Sequence, residues 1–352
     1  MSALNTPLTQ LLGCRYPIIQ TAMGWVADPT LVAASSEAGA FGFLAGAVMT
    51  PGEIDEGIRA IKSRTEAPFG VNFHMYAPGA RETVDLCVEH GVRAVSYSRS
   101  PSGDLVEKLK SAGIVCIPTV GALKHAIKAV QLGADAVVVQ GSEGGGHTGT
   151  VASSVLLPQV LKSVSVPVVA AGGFSTGRDL AALLAQGAAG MAMGTRFLLT
   201  AESPVPEQTK QRYIAASAED IIVSRQLDGM PQRMINNELL QRLQSTSGLG
   251  MLLMAAKNGL AFTKLTRQSL FGMMQAAWKM SRNGDMSLGQ SLMAANAPMM
   301  IQEAMVRGHP SNGILPSGQV AGAIDDLPAV ADLVARMAAD AEAAIQRLNT
   351  PQ

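Results

Sequence analysis

Residues 166–195 read VPVVAAGGFSTGRDLAALLAQGAAGMAMGT. An apolar, β-branched run ends in Ala170-Ala171-Gly172-Gly173. A stretch with helical spacing follows over 176–186 and stops at Gln186-Gly187. A second short apolar run then ends in Met193-Gly194-Thr195. Near-continuous apolar strands belong to a parallel sheet covered on both faces. A Gly just past a helix C-terminus supplies its left-handed cap. The unit is strand, helix, Gly stop, strand.

The unit recurs through the first 200 residues. Strands are predicted at 17–23, 42–46, 69–73, 94–98, 115–120, 136–141, 166–173 and 190–195. Helices are predicted near 29–39, 51–64, 80–90, 103–112, 121–132, 153–163 and 176–186. Eight such strands with intervening helices argue for a closed α/β barrel of the (β/α)₈ type. An open doubly wound sheet is the alternative, and it would use fewer strands. After Thr200 the alternation stops. Residues 201–310 read as a mainly helical insertion or cap after the eighth strand, entered through Ser203-Pro204-Val205-Pro206. The amphipathic segment 326–348 is expected to close the barrel. The chain thus divides into a barrel of 1–200 and 311–352 and a cap of 201–310. Twelve of the 19 Met residues lie between Met230 and Met305.

Composition narrows the function. The chain has 352 residues, 47% apolar and 15% charged, with 27 basic against 27 acidic side chains. This is not a disordered chain. With no net positive charge it has no global pull on nucleic acid. Three scattered cysteines, Cys14, Cys87 and Cys116, make neither a disulfide framework nor a zinc cluster, and read as small buried hydrophobes. No apolar run reaches the roughly 18 residues that cross a bilayer. The N-terminus lacks the pattern of a signal peptide. A soluble cytoplasmic protein, bound to neither membrane nor nucleic acid, is the expectation.

Chemistry in such barrels sits at the C-terminal strand ends. The Gly172-Gly173 and Gly194-Thr195 ends belong to the last two strands, where backbone N–H groups commonly hold a phosphate. The plain alternative is that these glycines only relieve crowding. The sixth strand ends in Gln140-Gly141-Ser142-Glu143-Gly144-Gly145-Gly146-His147-Thr148-Gly149. A Gly run lets the backbone wrap a flat ligand, and His147 is placed to act as general acid or base. At the first strand end, Met23 is a candidate floor for a planar ring. At the third, Asn72 is a residue depleted in strands, which favours a ligand role. His74 and Tyr76 are expected near the mouth. His90, His125 and His309 receive no role. HExxH, CxxC, GxSxG and Walker patterns are all missing, so neither metal-dependent nor Ser-nucleophile hydrolysis has support.

Taken in order, Met23-Gly24, Gly70-Val71-Asn72, the Gln140-to-Gly149 stretch, Ala170-Ala171-Gly172-Gly173 and Met193-Gly194-Thr195 resemble the 2-nitropropane dioxygenase or nitronate monooxygenase family. The Glu-Gly-Gly-Gly-His stretch also resembles flavin-dependent enoyl-acyl-carrier reductases. The resemblance implies an FMN-binding barrel. It implies that Gly172, Gly173, Gly194 and Thr195 hold the FMN phosphate. It places Met23, Asn72, Gln140, Gly144 and Gly145 around the cofactor, with His147 as the catalytic acid/base. Met23-Gly24-Trp25-Val26-Ala27, Asp228-Gly229-Met230-Pro231, Met293-Ala294-Ala295-Asn296 and Ser317-Gly318-Gln319-Val320-Ala321-Gly322 resemble one branch of that family. That branch acts in bacterial steroid C/D-ring degradation on a bicyclic CoA thioester. The resemblance implies hydride exchange with NAD(P)H as co-substrate. Nitronate oxidation by O₂ is the alternative that the same barrel motifs allow.

The cap bears on this choice. Residues 250–310 hold six basic side chains (Lys257, Lys264, Arg267, Lys279, Arg282, Arg307) against two acidic ones (Asp285, Glu303). A basic, Met-rich cap suits a bulky apolar group carried on phosphate-bearing coenzyme A. Ordinary helix packing and a solvated surface explain the same composition. A phosphate-binding barrel without redox function would leave the Glu143-to-His147 stretch unexplained.

Overall fold

The computed structural model describes residues 3–98, 101–245 and 288–349. In chain order its elements begin α1 (Pro7–Leu12), β1 (Ile18–Gln20), α2 (Pro29–Glu37), β2 (Phe41–Leu44), α3 (Pro51–Lys62), β3 (Gly70–Asn72) and α4 (Ala80–Glu89). They continue with β4 (Ala94–Ser98), α5 (Gly103–Ser111), β5 (Val115–Val120), α6 (Leu123–Gln131), β6 (Val137–Gln140), β7 (Gly146–His147) and α7 (Ser153–Leu161). Then come β8 (Val168–Ala171), α8 (Gly177–Ala185), β9 (Gly190–Met193), α9 (Thr195–Leu198), α10 (Glu207–Ile214), β10 (Ile221–Ser224) and β11 (Gln232–Ile235). The last helices are α11 (Glu238–Ser245), α12 (Leu288–Met305) and α13 (Val330–Asn349).

The order β1-β2-β3-β4-β5-β6-β8-β9 closes on itself. Closure is the parallel pairing of β1 with β9, Ile18 opposite Met191 and Gln20 opposite Met193. The eight predicted strands are therefore the eight barrel strands, and each predicted helix is present within a few residues. One face of the strands fills the barrel with Ile19, Phe41, Phe43, Val115, Ile117, Val138 and Val169. The other face packs on the helices. The short α1 reaches this interior too: Leu8 and Leu12 join the same cluster, and the Thr6 hydroxyl donates to the carbonyl of Ala189, just before β9, at 2.6 Å. α1 thus plugs the N-terminal end. Towards the other end the interior residues shrink to Ala171 and Ala192, which leaves room for a ligand.

α13 packs on α8 and α2, as expected of a helix that closes the barrel. Buried Arg196 ties it in. Its guanidinium donates to the Asp326 carboxylate at 2.6 Å, and Arg336 of α13 donates to that same carboxylate.

The segment after β9 is mainly helical where described, but it carries an element that sequence reading did not expect. β10 and β11 form an antiparallel hairpin, and β7 of the sixth-strand loop adds to its edge. Most of the Met-rich, basic stretch, including Lys257, Lys264, Arg267, Lys279 and Arg282, lies outside the described residues. Met234 and Met300 pack in one cluster with Leu227, Leu240, Leu243 and Ile314, which is ordinary core packing. Arg307 is paired with Glu303 at 2.8 Å.

Fully buried Asn237 holds this outer layer together. Its oxygen caps α11 by accepting from Leu240 N at 3.0 Å, and its amide donates to the carbonyls of Pro310 and Gly313. Asn237→Ala should therefore cost on the order of 2–4 kcal/mol, a lost cap plus two stranded carbonyls. A lower urea midpoint with an unchanged slope is the expected reading.

Candidate active site

A cavity of about 620 Å³ opens at the C-terminal ends of the barrel strands. This is within the size range of small-molecule and cofactor sites. All ten residues proposed from sequence border it: Met23, Asn72, Gln140, Gly144, Gly145, His147, Gly172, Gly173, Gly194 and Thr195.

The corner at the ends of β8 and β9 is built largely from backbone. Gly172 and Gly173 follow β8 with φ of 97° and 84°, conformations that a side chain would strain. A Cβ on Gly172 would lie 3.1 Å from the carbonyl oxygen of Gly141, so the loops after β6 and β8 approach closely there. Gly194 and Thr195 follow β9. The Thr195 hydroxyl accepts from Gly318 N at 2.9 Å. Met23 sits beside them: Thr21 N donates to the Met193 carbonyl at 3.1 Å, and a Cβ on Gly194 would be 3.4 Å from the Met23 sulfur. Trp25, in the turn after Met23, has φ 63° and is the single non-glycine residue with positive φ among the described ones. Bulky residues hold that conformation only where the surroundings enforce it.

Asn72, at the end of β3, donates its amide to the Ser96 carbonyl at 3.1 Å. Gln140, at the end of β6, donates to the carbonyl of His147 at 3.0 Å. The Gln140 side chain therefore braces the Gly-rich loop from below. His74 also borders the cavity, and its ring stacks on exposed Tyr76 with centroids 5.2 Å apart. His90 and His309 pair with Asp55 and Glu303 and do not border it. Burial pushes the thiols of Cys14, Cys87 and Cys116 up to about 12, which suits packing residues.

Glu143 has a structural partner. Its carboxylate accepts from Ser153 N through both oxygens at 3.1 Å, and the Ser153 hydroxyl lies 3.0 Å from Oε2 and 2.9 Å from the carbonyl of Gly172. The carboxylate sits at the start of α7, where the helix dipole favours an anion.

Two further segments contribute at the mouth, and the second was not foreseen. The loop after Pro316 returns to the mouth: Gln319 N donates to the Glu143 carbonyl at 2.9 Å. Gly145 has no room for a side chain, because a Cβ there would be 2.6 Å from Gly318 N. The second is Asp228, on the turn between β10 and β11. Its Oδ2 lies 2.7 Å from His147 Nε2. The Asp-Gly-Met-Pro stretch was visible in the sequence, but nothing local marked it as a partner of His147. From α12, Ala297, Pro298, Ile301 and Met305 complete an apolar wall. Backbone amides at one corner, an apolar wall and the imidazoles of His74 and His147 suit a planar, phosphate-bearing cofactor beside an apolar substrate.

The family model described as nitronate monooxygenase matches residues 5–90 and 76–340. A protein of Rhodococcus jostii strain RHA1 named (3aS,4S,5R,7aS)-5-hydroxy-7a-methyl-1-oxo-octahydro-1H-indene-4-carboxyl-CoA dehydrogenase is 47% identical over 349 residues, 99% of each chain. The protein of the same name from Mycobacterium tuberculosis strain H37Rv is 45% identical over 96% of each chain. Among solved structures, FabK of Thermotoga maritima superposes with a TM-score of 0.80 at 29% identity, over 98% of each chain.

Glu143→Gln should weaken the start of α7 and loosen the Gly-rich loop, at a cost of about 1–2 kcal/mol. Hydrogen exchange should speed up across 141–153 and leave β2 to β4 unchanged. Uniform exchange across the chain would contradict the local role of this carboxylate.

Proposed function

The chain belongs to the nitronate monooxygenase family and is an oxidoreductase, and from that premise we propose that it is an FMN-dependent dehydrogenase of a bulky cyclic CoA thioester. The observation that carries this reading is the gathering of every residue proposed from the sequence around one cavity. The near full-length similarity to indane-carboxyl-CoA dehydrogenases supports the substrate class.

The residues present fit such a cofactor. Gly172, Gly173, Gly194 and Thr195 would hold its phosphate on backbone amides. Met23, Asn72, Gln140, Gly144 and Gly145 would bound its ring and ribityl chain. A bound flavin would supply hydride exchange with NAD(P)H on one side and a substrate ring carbon on the other.

The protein's own task is position and proton. The α12 wall of Ala297, Ile301 and Met305 excludes water and receives the apolar rings. We read residues 201–310 as the cap over that substrate, with the barrel of 1–200 and 311–352 beneath. His147, half exposed at the mouth, takes or returns the proton on the carbon beside the thioester carbonyl, which that carbonyl acidifies. The same imidazole would serve a nitroalkane, whose deprotonation gives the nitronate that the family's description names. The size and apolar character of the cavity favour the thioester.

Anaerobic mixing separates the two. NADH or NADPH, and the reduced or oxidised CoA thioester, should change the flavin absorbance, and an alkyl nitronate should not. Reduction by the nitronate alone would replace the dehydrogenase reading with nitronate oxidation. His147→Gln should keep its bound flavin and lose roughly 10²- to 10⁴-fold in turnover.

A further inference from the structure

His147 is held from outside the barrel. β7 pairs with β11, His147 opposite Gln232, and Thr148 N donates to the Pro231 carbonyl at 3.1 Å. Gln140 donates to the His147 carbonyl from the barrel side. The backbone at His147 is therefore fixed between strand β6 and the hairpin. The turn of that hairpin brings Asp228 to the imidazole.

The Asp228 side chain is 14% exposed and meets three hydrogen-bond partners. Oδ1 accepts from Met230 N at 3.0 Å, and Oδ2 accepts from Gln232 Nε2 at 2.7 Å. Oδ2 also lies 2.7 Å from His147 Nε2. Burial alone would push this carboxyl up. The hydrogen bonds from His147 and Gln232 outweigh it and hold the group below the usual carboxylate range. It is an anion at neutral pH and an acceptor only. The contact therefore places a proton on His147 Nε2, and in the neutral imidazole the free lone pair is then on Nδ1.

We propose that Asp228 is the positioning residue of His147: it fixes the ring with Nε2–H on the carboxylate and leaves Nδ1 as the nitrogen that exchanges the substrate proton. The inference rests on the acid/base reading of His147 given above. In the forward step the C–H bond beside the thioester breaks and its electron pair is drawn into the carbonyl. The proton goes to Nδ1. The imidazolium so formed lies against the Asp228 anion, which takes no proton itself. The other charged groups on these elements are engaged elsewhere. Glu143 is on Ser153, Arg233 donates to the carbonyls of Ser142 and Ile221, and Arg225 reaches the Gly229 carbonyl. Asp228 is the counter-charge left for the ring.

The test is a ¹⁵N NMR titration of histidine-labelled, flavin-loaded full chain, with His147→Gln to assign the signal. The expected signature is a neutral His147 protonated on Nε2. In Asp228→Asn the neutral ring should lose that preference and carry its proton on Nδ1 as well, because the anionic acceptor at Nε2 is gone. Asp228→Glu, which keeps the carboxylate, should stay nearer the wild type. On the CoA thioester, Asp228→Asn should lower kcat by about tenfold or more with little change in KM. A proton on Nδ1 of the wild-type ring, or a tautomer unchanged in Asp228→Asn, overturns the positioning role and leaves the reading of His147 standing. A tautomer that shifts while His147→Gln retains wild-type turnover overturns the acid/base reading instead, and the positioning role falls with it.

Discussion

Everything at the mouth depends on the pairing of β1 with β9. Ile18, Ile19 and Gln20 lie opposite Met191, Ala192 and Met193, and the ladder runs on to Thr21 N bonding the Met193 carbonyl. Without that pairing the sheet would be open, and the Met23 turn would lie far from Gly194. With it, eight strand ends converge on one ring. The barrel is filled unevenly along its axis. Leu8 and Leu12 of α1, with Phe41 and Ile117, occupy the interior away from the cavity, and Ala171 and Ala192 border it beside Phe43. A parallel barrel buries its strands on both faces, so the difference in side-chain size decides where the space is left. Here it is left where the backbone amides and His147 are.

The second constraint lies outside the barrel. The Gly-rich loop after β6 would have little to hold it if it stood alone. Gln140 supports it from beneath, Glu143 anchors it to α7, the Gln319 amide closes on its carbonyl, and β11 pairs with its far end. The segment following β9 supplies the strand β11 that fixes the loop and the carboxylate that meets His147. Preorganisation of this kind gives a catalytic group its geometry before substrate arrives.

Much of the barrel was legible because a parallel, two-sided sheet writes itself as short apolar runs, each launched from a Gly-stopped helix. The strand-end glycines stood out because the loops after β6 and β8 approach so closely that a Cβ on Gly172 would crowd Gly141. Glu143 illustrates the limit. Its sequence context places it in the site loop, but its carboxylate turns to Ser153, and no local pattern separates those two roles. The hairpin escaped notice because Ile221–Ser224 and Gln232–Ile235 are four residues each, and the Asp228-Gly229 turn signal lies within a seven-residue connection. β7 is two residues long and exists only through its partner. Asp228 lies 81 positions from His147, and that contact is set by the tertiary fold alone. The Met skew proved partly commonplace: Met234 and Met300 are core, and Met305 borders the cavity.

We propose that the corner formed by Gly172, Gly173, Gly194 and Thr195 retains an FMN phosphate. Denaturing the purified protein and separating the released chromophore by chromatography and mass decides whether it does. FMN is expected, close to one per chain. FAD as the sole flavin, or a colourless protein that takes up no added FMN, would rule this out.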